Sequence, residues 1–298
     1  MITLSAPAKI NWFLRVTGKR ADGYHEIYSA MQAISLYDTI IIEPSDAFEL
    51  ISDIPIPVTD NLVYKAAEAF FAREELKSKS NRVRITLKKE IPAEAGLGGG
   101  SSDAAYTLIG LNKLFGGIFT VEDLSSMAAK IGSDVPFFIY GNFAFVEGRG
   151  ERVTPLEVNS TINLLIVKPP FSISTAWAYR KFDGRVFDAI PSRAELRDGL
   201  ITALELYDFE RTRACMKNDI EDILIDTFPG IYEIKNTLLK EGAAAAMLSG
   251  SGSAVFGVFK DVNTRDKAVL SLATNYPDCL LKKAATISHI DPVKSMDS

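Results

Sequence analysis

The sequence predicts an α+β protein built as two layered halves, and three observations carry that prediction. Apolar residues alternate at strand period in some segments and recur at helical period in others, and the two kinds of segment interleave along the chain. The 298 residues suffice for two domains of ordinary size, each closing its own core. A hydrophobic share of 47% beside 24% charged residues is the balance of a globular chain that keeps a polar surface.

The first half reads as strands at ITLSAPAKINWFLRV (2–16) and AISLYDTIIIEP (33–44), and at NRVRITLKKEIP (81–92), where Val83, Ile85 and Leu87 share a face. Between the last two, NLVYKAAEAFFAREEL (61–76) reads as a helix with Leu62, Ala66, Ala69 and Phe70 on its apolar stripe. TVEDLSSMAAKIG is a further helix, opened by Thr120, acidic in its first turn and stopped by Gly132. After about residue 158 the mixture repeats. A buried strand NLLIVKPP leads into helices around STAWAYRKF, RAELRDGLITAL and FPGIYEIKNTLLKEG. Residues 243–259 read as strand, glycine turn, strand, and VNTRDKAVLSLATNY is a helix before a closing strand. The seam between the halves falls near residues 157–160, giving expected domains of 1–158 and 159–298.

AGLGGGSSDAAYTLI (95–109) carries the first chemical signal. Four of the five residues from Gly96 to Gly100 are glycine, so backbone amides there can approach a ligand with no Cβ in the way. Ala104, Leu108, Leu111 and Phe115 then recur at helical spacing, with Gly116 placed to end the helix. Ser101 or Ser102 is the expected N-cap, which delivers the loop to a helix N-terminus, a site suited to phosphate. A P-loop is excluded, since no Gly-Lys-Ser/Thr follows, and the dinucleotide fingerprint fails at Ser101. A flexible turn before a helix is the plain alternative.

Net charge is −5, which argues against a partner nucleic acid bound on a broad basic face. Cys215 and Cys279 are the only cysteines and read as reduced and structural. The N-terminus lacks a basic region followed by an apolar run, and no stretch has the apolar length of a membrane span, so a cytoplasmic protein with no membrane partner is expected.

Three segments, SAPAKINWFL (5–14), IPAEAGLGGGSSDAA (91–105) and AMLSGSGSAVFGVF (246–259), resemble the three motifs of the GHMP kinase superfamily, ATP-dependent kinases of small metabolites. PAKINWFLRVTGKRADGYHEI, GLGGGSSDAA, IGSDVPFF and VEGRGERVTPL narrow the resemblance to the branch that phosphorylates the 2-hydroxyl of a cytidine-diphosphate-linked methylerythritol in the non-mevalonate route to isoprenoids. The resemblance runs in order from residue 5 to about 260. It implies the two-domain GHMP kinase fold, with the active site in the cleft between the domains.

By that resemblance Asp134 is the catalytic aspartate, a position where helix capping is the alternative reading. Lys9 is the active-site lysine, where a solvated strand face is the alternative. Tyr24 and His25 correspond to the residues that recognise cytosine. Asn11, Thr175, Tyr179 and the backbone at Arg149 fall on other substrate-lining positions, and Trp177 is either neighbour or core. ATP corresponds to Asn61 and Lys89 near the adenine and its strand edge, and to Gly96, Leu97, Gly98, Gly99, Gly100, Ser101 and Ser102 around the phosphates. Ser249, Gly250, Ser251 and Gly252 close from the second half. Mg²⁺ is implied with ATP; its ligands are left open, with Ser102 a candidate and Asp103 a weaker one. Glu94, Ala95 and Asp103 depart from the more glycine-rich or amide-bearing pattern, and a carboxylate at 103 is expected to weaken ATP binding unless compensated. The DGYH and GLGGGSS forms speak against a mevalonate, homoserine or sugar kinase. Retention of Lys9 and Asp134 speaks against a silent nucleotide sensor on the same scaffold. Monomer and homodimer are both left open.

Overall fold

The computed structural model describes the chain except residues 77–81, 184–186, 188–189, 191, 225 and 289–298. His289 and the tail after it lie outside the described residues.

Two long strands dominate the first half. β1 (Ile2–Lys19) and β2 (His25–Pro44) form an antiparallel hairpin in register from Ile2 opposite Ile42 to Lys19 opposite His25. The sequence places the second strand at 33–44; in the structure it begins at His25, because the added residues pair with β1 and residues 27–32 pair with β5 as well. β3 (Glu49–Ser52) follows, then α1 (Leu62–Phe71), β4 (Val83–Lys88), α2 (Gly99–Leu114), α3 (Val121–Ile131), α4 (Val135–Tyr140), β5 (Phe143–Gly148) and β6 (Arg152–Pro155). The free edge of β2 is shared: residues 39–44 pair with β4 and residues 27–32 with β5. The sheet therefore runs β3-β4-β2-β5-β6, with β1 on the other side of β2.

The helices follow their caps. Asn61 caps α1 by accepting from the Val63 N–H, and the helix ends at Phe71, short of the expected residue 76. Leu76 is buried by a separate short turn at Glu74–Leu76. The buried face of α1 is Val63, Ala66, Ala67 and Phe70, so Leu62 and Ala69 stand at its margins. Thr120 and Asp123 close a reciprocal capping box on α3, and Gly132 ends it as the sequence predicts.

The second half holds β7 (Asn163–Lys168), α5 (Thr175–Arg180), α6 (Arg193–Glu205), α7 (Phe209–Cys215), α8 (Glu221–Leu224), α9 (Pro229–Lys240), β8 (Ala245–Leu248), β9 (Val255–Phe259), α10 (Val262–Asn275) and β10 (Leu280–Ala285). Its antiparallel sheet has the order β10-β7-β9-β8. Among the described residues no helix is long and apolar enough to cross a membrane.

The expectation that each half closes its own core is not met. One apolar cluster joins Leu14, Ile40 and Phe137 to Leu165, Leu248 and Phe259. The other joins Ile10, Trp12 and Phe13 to Leu164, Met247 and Phe256. The cause is β1. Residues Ala6–Val16 are buried without interruption, because one face of the strand meets the helices of its own half and the other meets the second sheet. Trp12 stands edge-on to Phe256, ring centroids 6.2 Å apart. A polar residue on such a strand has water only where the two layers part. Lys9 and Asn11 occupy that place.

Candidate active site

The two glycine loops are stitched to β1 and to each other. The Lys9 N–H donates to the Leu97 carbonyl (2.9 Å), and the Ser253 and Ala254 N–H groups donate to the carbonyls of Glu94 and Ala95 (3.3 and 3.1 Å). Ser249 Oγ donates to the Gly96 carbonyl at 3.0 Å. Gly96 has φ +73°, and a Cβ there would lie 1.9 Å from the Ser249 carbonyl oxygen, so no other residue permits this approach. Gly98, at φ +71°, is the N-cap of α2. This corrects the expected serine cap: Gly99 and Gly100 form the first helical turn, and Ser102 already donates its N–H back to Gly98. The N–H groups of Gly99, Gly100 and Ser101 are left at the head of a sixteen-residue helix without helical acceptors.

A cavity of about 970 Å³ opens over this helix end. Lys9 and Asn11 line its floor, Gly96 to Ser101 one wall, and Gly250 and Ser251 the facing wall. Tyr24, His25, Arg149, Thr175 and Tyr179 line the far end, and Asp134 lies along the same surface. Most of the residues singled out in the sequence therefore meet in one place.

Lys9 is 2% exposed, with its Nζ donating to Asn11 Oδ1 at 2.7 Å and standing 3.7 Å from Asp134 Oδ2. Asn11 passes the chain on, donating to Ser29 Oγ at 2.8 Å. Burial pushes the Lys9 ammonium below its ordinary value, opposed by the Asp134 charge. Such a cation gains most from an incoming anion. Asp134 is the N-cap of α4, yet its side chain makes no capping bond. Capping therefore does not explain the residue, and its half-buried carboxylate lines the cavity beside Lys9.

At the far end Arg149 lies over the exposed Tyr24 ring, 5.1 Å from its centroid. His25 is buried beside Tyr179, rings 5.6 Å apart and tilted 30°, and its Nε2 stands 3.5 Å from Asp183 Oδ1. Burial lowers its pKa, so the imidazole is neutral at neutral pH. Burial also raises the Tyr179 hydroxyl, helped by the Asp134 charge. Thr175 Oγ1 and Ser251 Oγ share a hydrogen bond of 2.7 Å, tying α5 to the second glycine loop. Trp177 packs edge-on to Phe228 and belongs with the core.

Other expected residues sit behind the wall. Asn61 spends its side chain on capping α1, Ser249 on the Gly96 carbonyl, and Gly252 lies in the turn beneath Ser251. Ser102 Oγ is buried with no protein partner. Lys89 reaches the cavity margin, and its ammonium bridges Asp38 and, at 2.7 Å, Asp103. Asp103 therefore faces a lysine inside the protein, away from the cavity, and burial pushes its carboxyl up to about 7. Lys89 is thus a compensating charge for that carboxylate beside the phosphate loop.

Sequence reasoning missed Asp38, Asp183 and the segment 217–221, all of which support the site. Asp183 sits in a turn after α5 and Asp38 in a strand, where single carboxylates carry no pattern of their own. Asn218, Asp219 and Glu221 form a polar run that reads locally as a turn.

Comparison with known proteins matches the fold. The GHMP kinases N terminal domain matches residues 61–142, and the GHMP kinases C terminal matches residues 200–278. A 4-diphosphocytidyl-2-C-methyl-D-erythritol kinase from Thermodesulfovibrio yellowstonii is 44% identical over 271 residues, covering 90% of this chain and 93% of that protein. The one from Pelotomaculum thermopropionicum is 39% identical over 89% of this chain and 91% of its own. A crystal structure of 4-(cytidine 5'-diphospho)-2C-methyl-D-erythritol kinase superposes with a TM-score of 0.78 at 31% identity, over 95% of this chain and 99% of that one. Homoserine kinase from Cytophaga hutchinsonii, at 19% identity and a TM-score of 0.74, shares the fold. With glycine loops, lysine and aspartate assembled around one cavity and relatives this similar along nearly their whole length, the chain belongs to the 4-diphosphocytidyl-2-C-methyl-D-erythritol kinase family of the GHMP kinases.

Proposed function

We propose that this enzyme transfers the γ-phosphoryl group of ATP directly to the 2-hydroxyl of 4-diphosphocytidyl-2-C-methyl-D-erythritol, with Asp134 accepting the hydroxyl proton and Lys9 bracing the charge. The observation that carries the reading is the Lys9–Asp134 pair, 3.7 Å apart on the wall that joins the helix end to the aromatic end of the cavity. An alcohol oxygen placed between them has a proton acceptor on one side and a cation on the other. The N–H groups at the head of α2 suit the nucleotide phosphates, and the backbone at Gly250 and Ser251 closes from across the cavity. Transfer proceeds in line with no phosphoenzyme, and rate enhancement comes from positioning and electrostatics. Tyr24 and Tyr179 supply ring faces for the cytosine, and neutral His25 supplies a hydrogen-bonding edge.

Mg²⁺ bound together with the nucleotide would offset the charge of its phosphates. No group of three or more His, Cys, Asp or Glu residues suited to a metal occurs among the described residues. Ser102, with its orphaned hydroxyl at the first turn of α2, is the residue that fits as an added ligand. The pocket takes a small molecule with a cytidine diphosphate group, the chain works without nucleic acid or membrane, and its place is the cytoplasm, as a monomer or homodimer.

The test is ADP release from Mg-ATP with the cytidylated methylerythritol, compared with the uncytidylated alcohol, mevalonate and homoserine. Turnover of the first alone is expected. Equal turnover of the uncytidylated alcohol would make Tyr24 and His25 bystanders, and preference for mevalonate or homoserine would move the enzyme to another branch.

A further inference from the structure

Residues Lys217–Glu221 hold the two catalytic walls together. The Leu14 N–H donates to the Lys217 carbonyl and the Asp219 N–H to the Leu14 carbonyl, at 2.8 and 2.9 Å. Asp219 accepts from Arg15 Nε at 3.0 and 3.1 Å and from the Val16 N–H at 2.9 Å. These contacts grip the strand that carries Lys9 and Asn11. The adjacent Asn218, 3% exposed, grips the opposite wall: its Nδ2 donates to the carbonyls of Leu248 (3.0 Å) and Gly250 (2.8 Å), while Oδ1 accepts from the Ile220 N–H at 3.0 Å. Glu221 completes the hold by accepting from the Leu248 N–H at 2.7 Å and pairing with Lys235.

The bond to Gly250 matters most. Gly250 has φ +55°, and a Cβ there would lie 3.1 Å from Lys9 Nζ and 3.4 Å from Asn11 Oδ1. A carbonyl turned toward that lysine would accept from Nζ and occupy a donor that the reaction needs. Asn218 claims it instead. The Gly250–Ser251 peptide is planar and trans, so the Ser251 N–H points away from the carbonyl that Asn218 holds. No acceptor among the described residues takes that N–H, and both residues line the cavity.

We infer that Asn218 is a positioning residue that orients the Gly250–Ser251 peptide, keeping its carbonyl off Lys9 and aiming its N–H at the transferring phosphoryl group. The inference rests on the kinase reading above. It predicts a loss in turnover, because a donor aimed at developing charge acts in the transition state.

The test compares Asn218→Asp, which cannot donate to the carbonyl, with Asn218→Ser, which keeps one donor, and with Glu221→Gln, which loosens the same segment without touching Gly250. All are assayed with Mg-ATP and the cytidylated substrate, with rates corrected for folded fraction. Asn218→Asp is expected to lower kcat by about 10- to 100-fold, with KM for ATP within about twofold of the wild type. Asn218→Ser recovers part of the loss, and Glu221→Gln stays within about twofold of the wild type. A crystal structure of Asn218→Asp is expected to show the Gly250–Ser251 peptide turned over. Wild-type kcat in Asn218→Asp, an equal loss in Glu221→Gln, or an unturned peptide in the variant crystal would each overturn the inference. A wild-type enzyme that leaves the cytidylated alcohol untouched counts against the kinase reading, and the peptide orientation then still decides the role of Asn218.

Discussion

Asp134 and His25, two side chains to which we assign roles, each have a distinct physical reason for their state. Asp134 caps nothing, so removing its charge leaves the start of α4 as it was. Asp134→Asn is expected to lower kcat by roughly 100-fold or more while the protein stays folded, its urea midpoint lowered only by the loss of the charge beside Lys9, measured by steady-state ADP release and far-UV circular dichroism. Near wild-type turnover would remove the residue from the proton-accepting role. His25 offers a pH experiment. Burial lowers its pKa from 6.5, so the neutral ring persists below that pH and takes a proton only below the shifted value. KM for the cytidylated substrate is therefore expected to stay flat from about pH 8 to about 6.5 and to rise only in more acid solution. A rise that begins above pH 7 would show that the ring is not held neutral. The same shift means that the unfolded chain binds more protons between the two values. Stability contributed by His25 is thus complete above 6.5 and is lost as pH falls through the folded pKa.

At the scale of elements, the glycine loops explain themselves through close approach. Gly96 touches Ser249 across 153 residues of sequence, and its backbone sits where an L side chain is strained. Gly96→Ala adds strain of about 1–3 kcal/mol and a clash with backbone that cannot move aside. The expected outcome is a kcat/KM reduced by about tenfold or more together with a lower urea midpoint, and an unchanged kcat/KM would show that the loops tolerate separation. Glycine density in this loop was legible in the sequence because backbone freedom is a local property. The cap was not: serine is the better cap by side-chain chemistry, but Gly98 alone can take the positive φ that turns the chain from the Leu97–Lys9 contact into α2. The partner of Asp103 was hidden for a related reason. Its place in the sequence is beside the phosphate loop, yet one helical turn rotates it inward to Lys89, a distinction that depends on where α2 begins.

For the whole molecule, both apolar clusters cross the seam that we propose at residue 158, and the Arg15–Asp219 pair, each side chain 11% exposed, bridges the same divide. The halves are therefore expected to unfold together. Urea denaturation followed by near- and far-UV circular dichroism should give one coincident transition, and residues 1–158 expressed alone should show no cooperative unfolding. Two separated transitions would mean that the halves are energetically independent.

The sequence alone determined the α+β class, the order of most strands and helices though not of β3, β5, β6, α7 and α8, and the presence of two glycine-rich turns. Periodicity and backbone freedom are written in neighbouring residues. Only the tertiary structure decided that Lys9 meets both Asp134 and Gly250, that Asn61 and Asp103 turn their side chains to structural partners, and that Asn218 reaches the second glycine loop. Those relations join residues far apart in the chain. They are set by how β1 is packed between two layers, and no local pattern encodes a packing that both halves must make together.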